Sequence, residues 1–430
     1  MSTIPSLALI PSGVKASKVY SVLPTDGTGD FTFSRAGVAT RVNSEGLIEE
    51  VLSNVPRLNY PLIDGVVSGC PSLLLEPERT NLLQYSEDFS NAYWTKTNTN
   101  TSNSVISPDG GLNGTKYTLD VTSFRSQISR SIFSVGTLYT TSVFVKYDSV
   151  KYFYISNAGA GEYRVVFDIE NGVIVSNGAN ITSSKIENYG NGWYRCSSVF
   201  TAAYSTLYLK FSPNSNNDTF TNTTDFSYIY GAQVEQGSYA TSYIPTNGSA
   251  VTRVAETANG AGDANTFNDS EGVLFAEISA LAQIETSRAI SISNGSSTTN
   301  RLVLQYTNSA SGNEIVAFAQ ATSYSSVLTR SIPNSTIYGK FAIKYSDTTN
   351  TFDLYFNGFK IGAGTWNHSF PTNSLSKIQF ADANGTGNPF YGNTKQIQYF
   401  DSALNDTELE TLTSWTSFSE MATSQLYTIE

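Results

Sequence analysis

The sequence contains the stretch GAQVEQGSYATSYIP at residues 231–245, and the region around it decides the fold. Two short apolar runs, LYLKF (207–211) and FSYIY (226–230), precede this stretch and are separated by polar residues typical of turns. Similar runs with turns between them recur from residue 116 onward, which is the pattern of an antiparallel β-sandwich. Residues 231–245 therefore follow directly on the last predicted strands of this sandwich.

The composition favours β-structure throughout the chain. Only 14% of the 430 residues are charged, whereas 13% are aromatic, with 26 Tyr and 24 Phe. Aromatic and β-branched side chains suit the half-buried surface of a pleated sheet, so the predicted fold class is all-β. The length favours two or three domains, each with its own core. We expect tandem antiparallel β-sandwiches (jelly rolls), preceded by an irregular β-containing attachment segment.

The charge pattern argues against several classes of partner. A formal net charge of -11 disfavours nucleic acid, because phosphate binding needs clustered Lys and Arg. Residues 1–13 have no basic start, and no stretch approaches the roughly 18 apolar residues of a membrane helix. Cys70 and Cys196 are predicted to be free and buried. We expect a protein without membrane insertion that is assembled in a reducing cytoplasm.

Several phrases of the sequence resemble a module of bacteriophage tail and fibre proteins. Besides residues 231–245, they are FSRA (33–36), ATRVN (39–43), EPERTNL (76–82), GWYRC (192–196) and AVTRVA (250–255). The resemblance implies a virion structural protein, a tail fibre or short appendage, with a carbohydrate-binding-module-like jelly roll. It also implies that the chain is a homotrimer in the virion, assembled in the host cytoplasm.

The last part of the chain resembles a concanavalin A-like, laminin-G-like sandwich. The resemblance rests on DLYFNGFKI (353–361), GNTKQIQYF (392–400) and SALNDTEL (402–409). It implies that the domain ends with a short helix. The residue types also predict this helix. Asn405 can cap it, its first turn is acidic, and Leu409 and Leu412 can pack against the sandwich.

These patterns predict four parts of the chain. They are an attachment or oligomerisation segment (1–80), the jelly roll (81–252), the laminin-G-like sandwich (253–416) and a C-terminal tail (417–430). The first part is predicted to be irregular and poor in strands. We therefore expect it to bind a partner that covers its exposed strand edges. By the resemblance, that partner is another virion protein or a second copy of the chain.

The sequence offers little for catalysis, and we expect the chain not to be an enzyme. His368 is the single histidine, so a Ser-His-Asp set would depend on a residue with no motif around it. Concanavalin-like glucanases carry three acids that alternate along one strand. Asp168 and Glu170 lack the third acid and run into Asn171-Gly172, so the sequence predicts turn carboxylates in a hairpin.

Loop residues of the last domain are the candidates for ligand binding. A sugar site combines an aromatic face with amide and carboxylate groups, because a pyranose ring stacks while its hydroxyls need directional partners. The residues of these types are Trp366, Asp382, Asn384 and Tyr391, unless the two aromatic residues only cover sandwich edges. No cofactor is expected apart from calcium, for which Asp382, Asn384 and Asn388 are candidate ligands because Ca²⁺ takes several hard oxygen atoms.

The predicted function is non-catalytic adsorption to host cell-surface polysaccharide, with other virion proteins bound through residues 1–80. Two alternatives remain open. The chain is a head or tail decoration protein that binds only other virion proteins, or it is a depolymerase whose acids lack a recognisable motif. Burial of the Trp366 and Tyr391 rim in a virion would favour decoration, whereas loss of reducing-end release on replacing Asp168 or Glu170 would favour the depolymerase.

Overall fold

The computed structural model describes residues 4–120, 126–157, 161–215, 224–283, 286–296, 298–309, 312–415 and 420. These residues are mostly β-structure in antiparallel ladders, so the predicted all-β class is confirmed. Within them, no helix has the length and apolar character that a membrane crossing requires. Apart from residue 420, the predicted C-terminal tail (417–430) lies outside the described residues.

The first part of the chain is rich in short strands rather than poor in them. Its strands are β1 (Leu7–Leu9), β2 (Val14–Lys15), β3 (Lys18–Val19), β4 (Phe31–Ser34), β5 (Ala39–Val42), β6 (Ile48–Val51), β7 (Arg57–Asn59), β8 (Leu62–Ile63), β9 (Val66–Val67), β10 (Ser72–Leu75) and β11 (Arg79–Asn81). The pairs β5-β6 and β8-β9 form local hairpins. The remaining strands pair with distant parts of the chain or extend sheets that contain such parts.

The jelly roll follows as two six-stranded sheets. Its strands are β12 (Thr95–Thr97), β13 (Thr99–Val105), β14 (Gly114–Leu119), β15 (Gln127–Ser131), β16 (Leu138–Lys146), β17 (Tyr152–Ser156), β18 (Arg164–Asp168), β19 (Val173–Asn177), β20 (Ile181–Asn188), β21 (Trp193–Thr201), β22 (Thr206–Ser212) and β23 (Phe226–Gln236). One sheet has the order β12-β15-β22-β17-β18-β19 and the other has the order β13-β14-β23-β16-β21-β20. The predicted hairpin at Asn171-Gly172 is confirmed, because β18 pairs with β19 around it.

Alternation along the jelly-roll strands separates an inner core from an outer face. On β21, Cys196 and Phe200 point into the core between the sheets. Trp193 points the other way, into an outer cluster with Phe144 and with Ile48 of β6. The first part of the chain therefore covers one face of the jelly roll. Cys196 is buried and free as predicted.

The last part of the chain supplies most of the second sandwich. Its elements are β24 (Val251–Arg253), β25 (Thr257–Ala261), β26 (Glu271–Ala280), β27 (Arg288–Ser293), β28 (Asn300–Ser309), β29 (Gly312–Ala321), β30 (Tyr324–Ser331), β31 (Gly339–Ser346), β32 (Thr351–Phe356), β33 (Phe359–Gly364), β34 (Lys377–Gln379), β35 (Gly392–Phe400) and α1 (Asp406–Ser414). The predicted helix is confirmed, because Asn405 accepts from the Glu408 backbone N–H at 3.0 Å and Leu409 and Leu412 are buried.

Both sheets of the second sandwich are completed by strands from the first part of the chain. In one sheet β35 pairs with β26 on one side and with both β1 and β10 on the other, and β7 extends β10. The other sheet has the order β2-β3-β4-β25-β34-β27-β28-β29-β30. The prediction of a strand-poor segment was therefore wrong. Strands between residues 7 and 75 pair with strands of the last domain of the same chain. Cys70 is exposed rather than buried, contrary to the prediction.

The jelly roll is consequently an insertion within the second sandwich. The chain enters it through β11 and leaves it through β24, and these two strands pair antiparallel, with Thr80 opposite Thr252. The Thr80 and Thr252 hydroxyls are 2.8 Å apart. The two connections therefore run side by side as a two-stranded ribbon.

Candidate functional site

Trp366 does not form the exposed rim that the sequence suggested. It is 2% exposed and lies in the core of the second sandwich, where its ring centroid is 5.0 Å from that of Phe370 and 6.5 Å from that of Phe352. An indole ring is more stable in the apolar core than on a loop surface, because its burial removes a large apolar area from water. Trp366 is therefore a core residue and offers no surface for a sugar.

Tyr391 is half-buried and packs against the same core. The Arg288 guanidinium lies 5.7 Å from the centre of its ring, and Arg288 Nη1 donates to the Tyr391 carbonyl oxygen at 3.4 Å. The guanidinium therefore occupies one face of the ring. Tyr391 is also separate from the depression that holds Asp382, whose described lining does not include it.

Asp382 and Asn388 line a shallow depression on the outer face of β28 and β29, which we call the Phe318 depression. Its volume is about 260 Å³, and its lining consists of Arg301, Val303, Gln305, Val316, Phe318, Asp382 and Asn388. Val303 lies opposite Phe318 and Gln305 lies opposite Val316 in the strand register. The intervening residues Leu302 and Leu304 belong to the sandwich core. Alternation along β28 and β29 therefore places one polar and aromatic face toward solvent.

The polar groups of the Phe318 depression are partly paired with one another. Arg301 Nη1 donates to Asp382 Oδ2 at 2.7 Å, and both side chains are 18% exposed. Arg301 Nε and Asp382 Oδ1 have no hydrogen-bond partner within the described part of the chain. Asn388 Nδ2 lies 3.4 Å from Gln305 Oε1. The depression thus combines a partly exposed phenyl ring with a charge pair and two amides, and some of its donors and acceptors are unused.

Arg301, Gln305 and Phe318 were not among the candidates from the sequence, because only loop residues were considered for ligand binding. A partial signal was present along 301–306, where the core residues Leu302, Leu304 and Tyr306 alternate with Arg301, Val303 and Gln305. An outward face that carries arginine, an amide and a phenyl ring on neighbouring strands differs from a plain solvated face. The register that joins the two strands could not be inferred from composition alone.

Of the three calcium candidates, Asp382 and Asn388 line the Phe318 depression, whereas Asn384 is not part of its lining. Asp382 is paired with the cationic Arg301. Asn384 Oδ1 accepts from Thr386 N–H at 3.2 Å and from its hydroxyl at 2.8 Å, and Asn388 turns toward Gln305. No cluster of three or more His, Cys, Asp or Glu that could hold a metal occurs among the described residues. Asp382, the one carboxylate among the three candidates, is therefore engaged by a cation of the protein itself.

The residues considered for catalysis have structural partners. The His368 ring stacks on Tyr324 with a centroid distance of 3.4 Å. Asp168 accepts from the backbone N–H groups of Glu170 and Asn171 at 3.2 and 3.1 Å, which stabilises the turn. Lys151 Nζ lies 3.2 Å from Asp168 and 2.9 Å from Glu170. These two acids share one lysine at the hairpin turn, and Asp168 is 6% exposed rather than facing solvent.

A buried network of five charged side chains joins the jelly roll to the second sandwich; we call it the junction network. Its members, Arg35, Arg57, Glu76, Arg253 and Glu256, have side chains no more than 3% exposed. Arg57 bridges the two acids, with Nη1 2.8 Å from Glu76 Oε2 and Nε 2.9 Å from Glu256 Oε1. Arg35 Nη1 lies 2.7 Å from Glu256 Oε1. Charges buried in this way are stable only when paired and hydrogen-bonded.

Three of the sequence phrases quoted above contribute residues to this network. FSRA supplies Arg35, EPERTNL supplies Glu76, and AVTRVA supplies Arg253. Ser242, in the exit stretch, donates its N–H to Glu76 Oε1 at 2.8 Å and its hydroxyl to Glu76 Oε2 at 2.6 Å. Burial alone would raise the pKa of Glu76, but Arg253, Arg57 and the Ser242 donors lower it to about 2. These phrases therefore fix how the two sandwiches are joined.

Comparison with known proteins gives partial likenesses to solved structures. No family model matches the chain, and no curated protein matches it. The CBM40 module of the Ruminococcus gnavus IT-sialidase, bound to α2,3-sialyllactose, is similar at 18% identity over 36% of this chain and 87% of that chain, with a TM-score of 0.31. A leech intramolecular trans-sialidase is similar at 17% identity over 35% of this chain and 24% of its own, with a TM-score of 0.30. The heptameric SAP-like pentraxin of Limulus polyphemus is similar at 13% identity over 34% of this chain and 71% of its own, with a TM-score of 0.29.

Proposed function

We propose that this chain is a non-catalytic glycan-binding protein of a bacteriophage virion, a tail fibre or short appendage that adsorbs to host-surface polysaccharide. The observation that carries the proposal is the Phe318 depression. A phenyl ring beside a carboxylate, a guanidinium and two amides offers a sugar both an apolar surface and directional hydrogen bonds. Its volume of about 260 Å³ is close to the lower end of known ligand pockets, roughly 300 Å³.

The assignment to a virion is supported by the resemblance of the quoted phrases to phage appendage proteins and by the surface of the first part of the chain. Six large apolar side chains between residues 4 and 66 are at least 40% exposed among the described residues: Ile4, Val22, Val38, Leu52, Ile63 and Val66. Apolar groups exposed in one region favour contact with another protein. In this proposal that region contacts other virion proteins, and the appendage is a homotrimer assembled in the host cytoplasm.

The test is binding of the full chain to an array of purified bacterial surface polysaccharides, with a duplicate array oxidised by periodate. Periodate cleaves neighbouring hydroxyls of sugars, so glycan-directed binding should be lost on the oxidised copies. Saturable binding to native polysaccharide that Phe318→Ala weakens would support the proposal. Binding that persists after oxidation, or no binding to any polysaccharide, would instead favour a decoration protein that contacts only virion components.

A further inference from the structure

A second cavity, which we call the junction cleft, lies where the three described parts of the chain meet. Its volume is about 400 Å³. Its walls come from β5 and β6 of the first part, from β20 and β21 of the jelly roll, and from residues 238–243 of the exit stretch. Leu281 and Asn393 of the second sandwich also line it. The cleft is larger than the Phe318 depression and is formed by different strands.

Most charged side chains that line the junction cleft are paired. Arg41 Nε donates to Glu49 Oε1 at 2.6 Å. Lys185 Nζ lies 2.7 Å from Glu187 Oε1. Glu76 belongs to the junction network. The cleft therefore has little free charge except at one residue of β21.

Arg195 is that residue. It is 4% exposed and lines the cleft, and no carboxylate of the described residues lies within ion-pair distance of it. Its Nη2 donates to Ser142 Oγ at 3.0 Å and to the Thr241 carbonyl oxygen at 2.7 Å, whereas its buried Nε has no acceptor in the described part of the chain. Burial alone would lower the pKa of Arg195, but Tyr189 and Glu187 raise it, so the guanidinium stays charged.

A buried guanidinium with an unused donor carries a desolvation cost that an anion can offset. Since Nη2 is already used by Ser142 and Thr241, an anion in the cleft would pair with the remaining N–H groups of the guanidinium, and a carboxylate is a strong acceptor for such charge-assisted hydrogen bonds. Around it the cleft is lined by the hydroxyl-bearing residues Ser183, Ser184, Ser197 and Ser238. Hydroxyl groups are donors and acceptors at once, which suits the hydroxyls of a sugar ring.

We propose that the junction cleft binds a sugar that carries a carboxylate, such as a uronic acid residue, with the carboxylate on Arg195. This inference goes beyond the function proposed for the Phe318 depression and does not depend on it. A polymer bound in the cleft would contact the first part of the chain, the jelly roll and the second sandwich at once.

The test uses the full chain and three probes: D-glucuronic acid, D-glucose and inorganic sulfate, with binding measured by titration calorimetry. We expect saturable binding of glucuronic acid and at least about tenfold weaker binding of glucose, because the uncharged sugar cannot pair with Arg195. Equal affinity for glucose and glucuronic acid would overturn the proposal. Sulfate bound as tightly as glucuronic acid would also overturn it, since the cleft would then be a site for small anions.

Substitutions connect the binding to Arg195. Arg195→Gln should weaken glucuronic acid at least about tenfold and Arg195→Lys should weaken it less, whereas the exposed Arg330→Gln should leave it unchanged. Ser183 is exposed at the cleft wall, so Ser183→Trp obstructs the cleft without disturbing a buried side chain and should also abolish binding. Wild-type affinity in a folded Arg195→Gln or Ser183→Trp variant would refute the assignment.

Discussion

Arg253 Nη1 lies 2.9 Å from Glu76 Oε2, so a residue just after the jelly roll is paired with a residue just before it. Glu76 also accepts from Arg57 at 2.8 Å, and its own N–H donates to Glu256 at 2.9 Å. The acid is 2% exposed. One carboxylate therefore links the entry and exit of the inserted domain to the sandwich that carries it.

Replacing Glu76 tests the strength of this link. Glu76→Gln leaves Arg57 and Arg253 buried with one acid fewer, and removing one partner of a buried pair costs about 3–5 kcal/mol. We expect a loss of that size in the free energy of unfolding, measured by urea denaturation. Glu49→Gln is the matched control, because its pair with Arg41 is partly exposed and should contribute under about 1 kcal/mol. Equal small losses for both variants would contradict this view of the junction.

Acid should weaken the same network. The pKa of Glu76 is lowered from its ordinary value of 4.5 to about 2. A carboxyl whose pKa is lowered by folding contributes stability above its unfolded pKa and loses it as the pH falls toward the folded value. We expect the unfolding temperature to decrease as the pH is lowered from 4.5 to 2. Thermal denaturation at a series of pH values measures this decrease. The unfolding temperature of Glu76→Gln should decrease less steeply over this pH range than that of the wild type. If the two unfolding temperatures changed in parallel with pH, Glu76 would be excluded as a contributor.

Phe318→Ala should reduce binding to the best polysaccharide of the array. Loss of the ring removes an apolar and aromatic contact of about 1 kcal/mol, which corresponds to a decrease of about five- to tenfold in affinity. The ring is partly exposed, so stability should change little. Phe359→Ala is the control, because Phe359 is 71% exposed on another strand. If both variants lost affinity equally, the Phe318 depression would not be the binding site.

Removal of divalent cations should leave glycan binding unchanged. Asp382 is paired with Arg301, and Asn384 hydrogen-bonds to Thr386, so the candidate calcium ligands are already engaged. We expect the same affinity and the same unfolding temperature after dialysis against EDTA as in buffer with added calcium. A drop in either quantity that calcium restores would show that the loop at 381–388 rearranges around a metal.

Deletion of residues 1–80 should unfold the second sandwich rather than release an independent segment. Leu7, Phe31, Phe33 and Leu73 are at most 1% exposed in its core, and β1, β4 and β10 complete its sheets. Removing them exposes apolar area and leaves strand edges unpaired. We expect residues 81–430 to aggregate or to lose cooperative unfolding in calorimetry. A soluble fragment with the unfolding transition of the full chain would refute this expectation.

The sequence predicted local features well. The capped helix at Asn405 and the hairpin at Asn171-Gly172 depend on neighbouring residues, and both are present. The all-β class follows from composition and is also confirmed. The cap and the hairpin are local features, because each is determined by a few neighbouring residues.

The features that sequence reasoning missed depend on contacts between distant residues. The pairing of Leu7 with Tyr399 and of Leu73 with Thr394 leaves no local signature in a single sequence. Trp366 is flanked by Gly, Thr and Asn, which suggests a loop surface, yet Phe352 and Phe370 bury it. Phe318 gains its setting only when β29 lies beside β28.

The side-by-side ribbon of β11 and β24 bears on how such chains diversify. Because the inserted domain begins and ends at hydrogen-bonded neighbours, its two covalent connections to the rest of the molecule lie side by side. A different domain whose ends lie equally close could be exchanged there by recombination, with the flanking sheets unaltered. The residues of the junction network would then be retained while the inserted domain varied, so one scaffold could carry different domains.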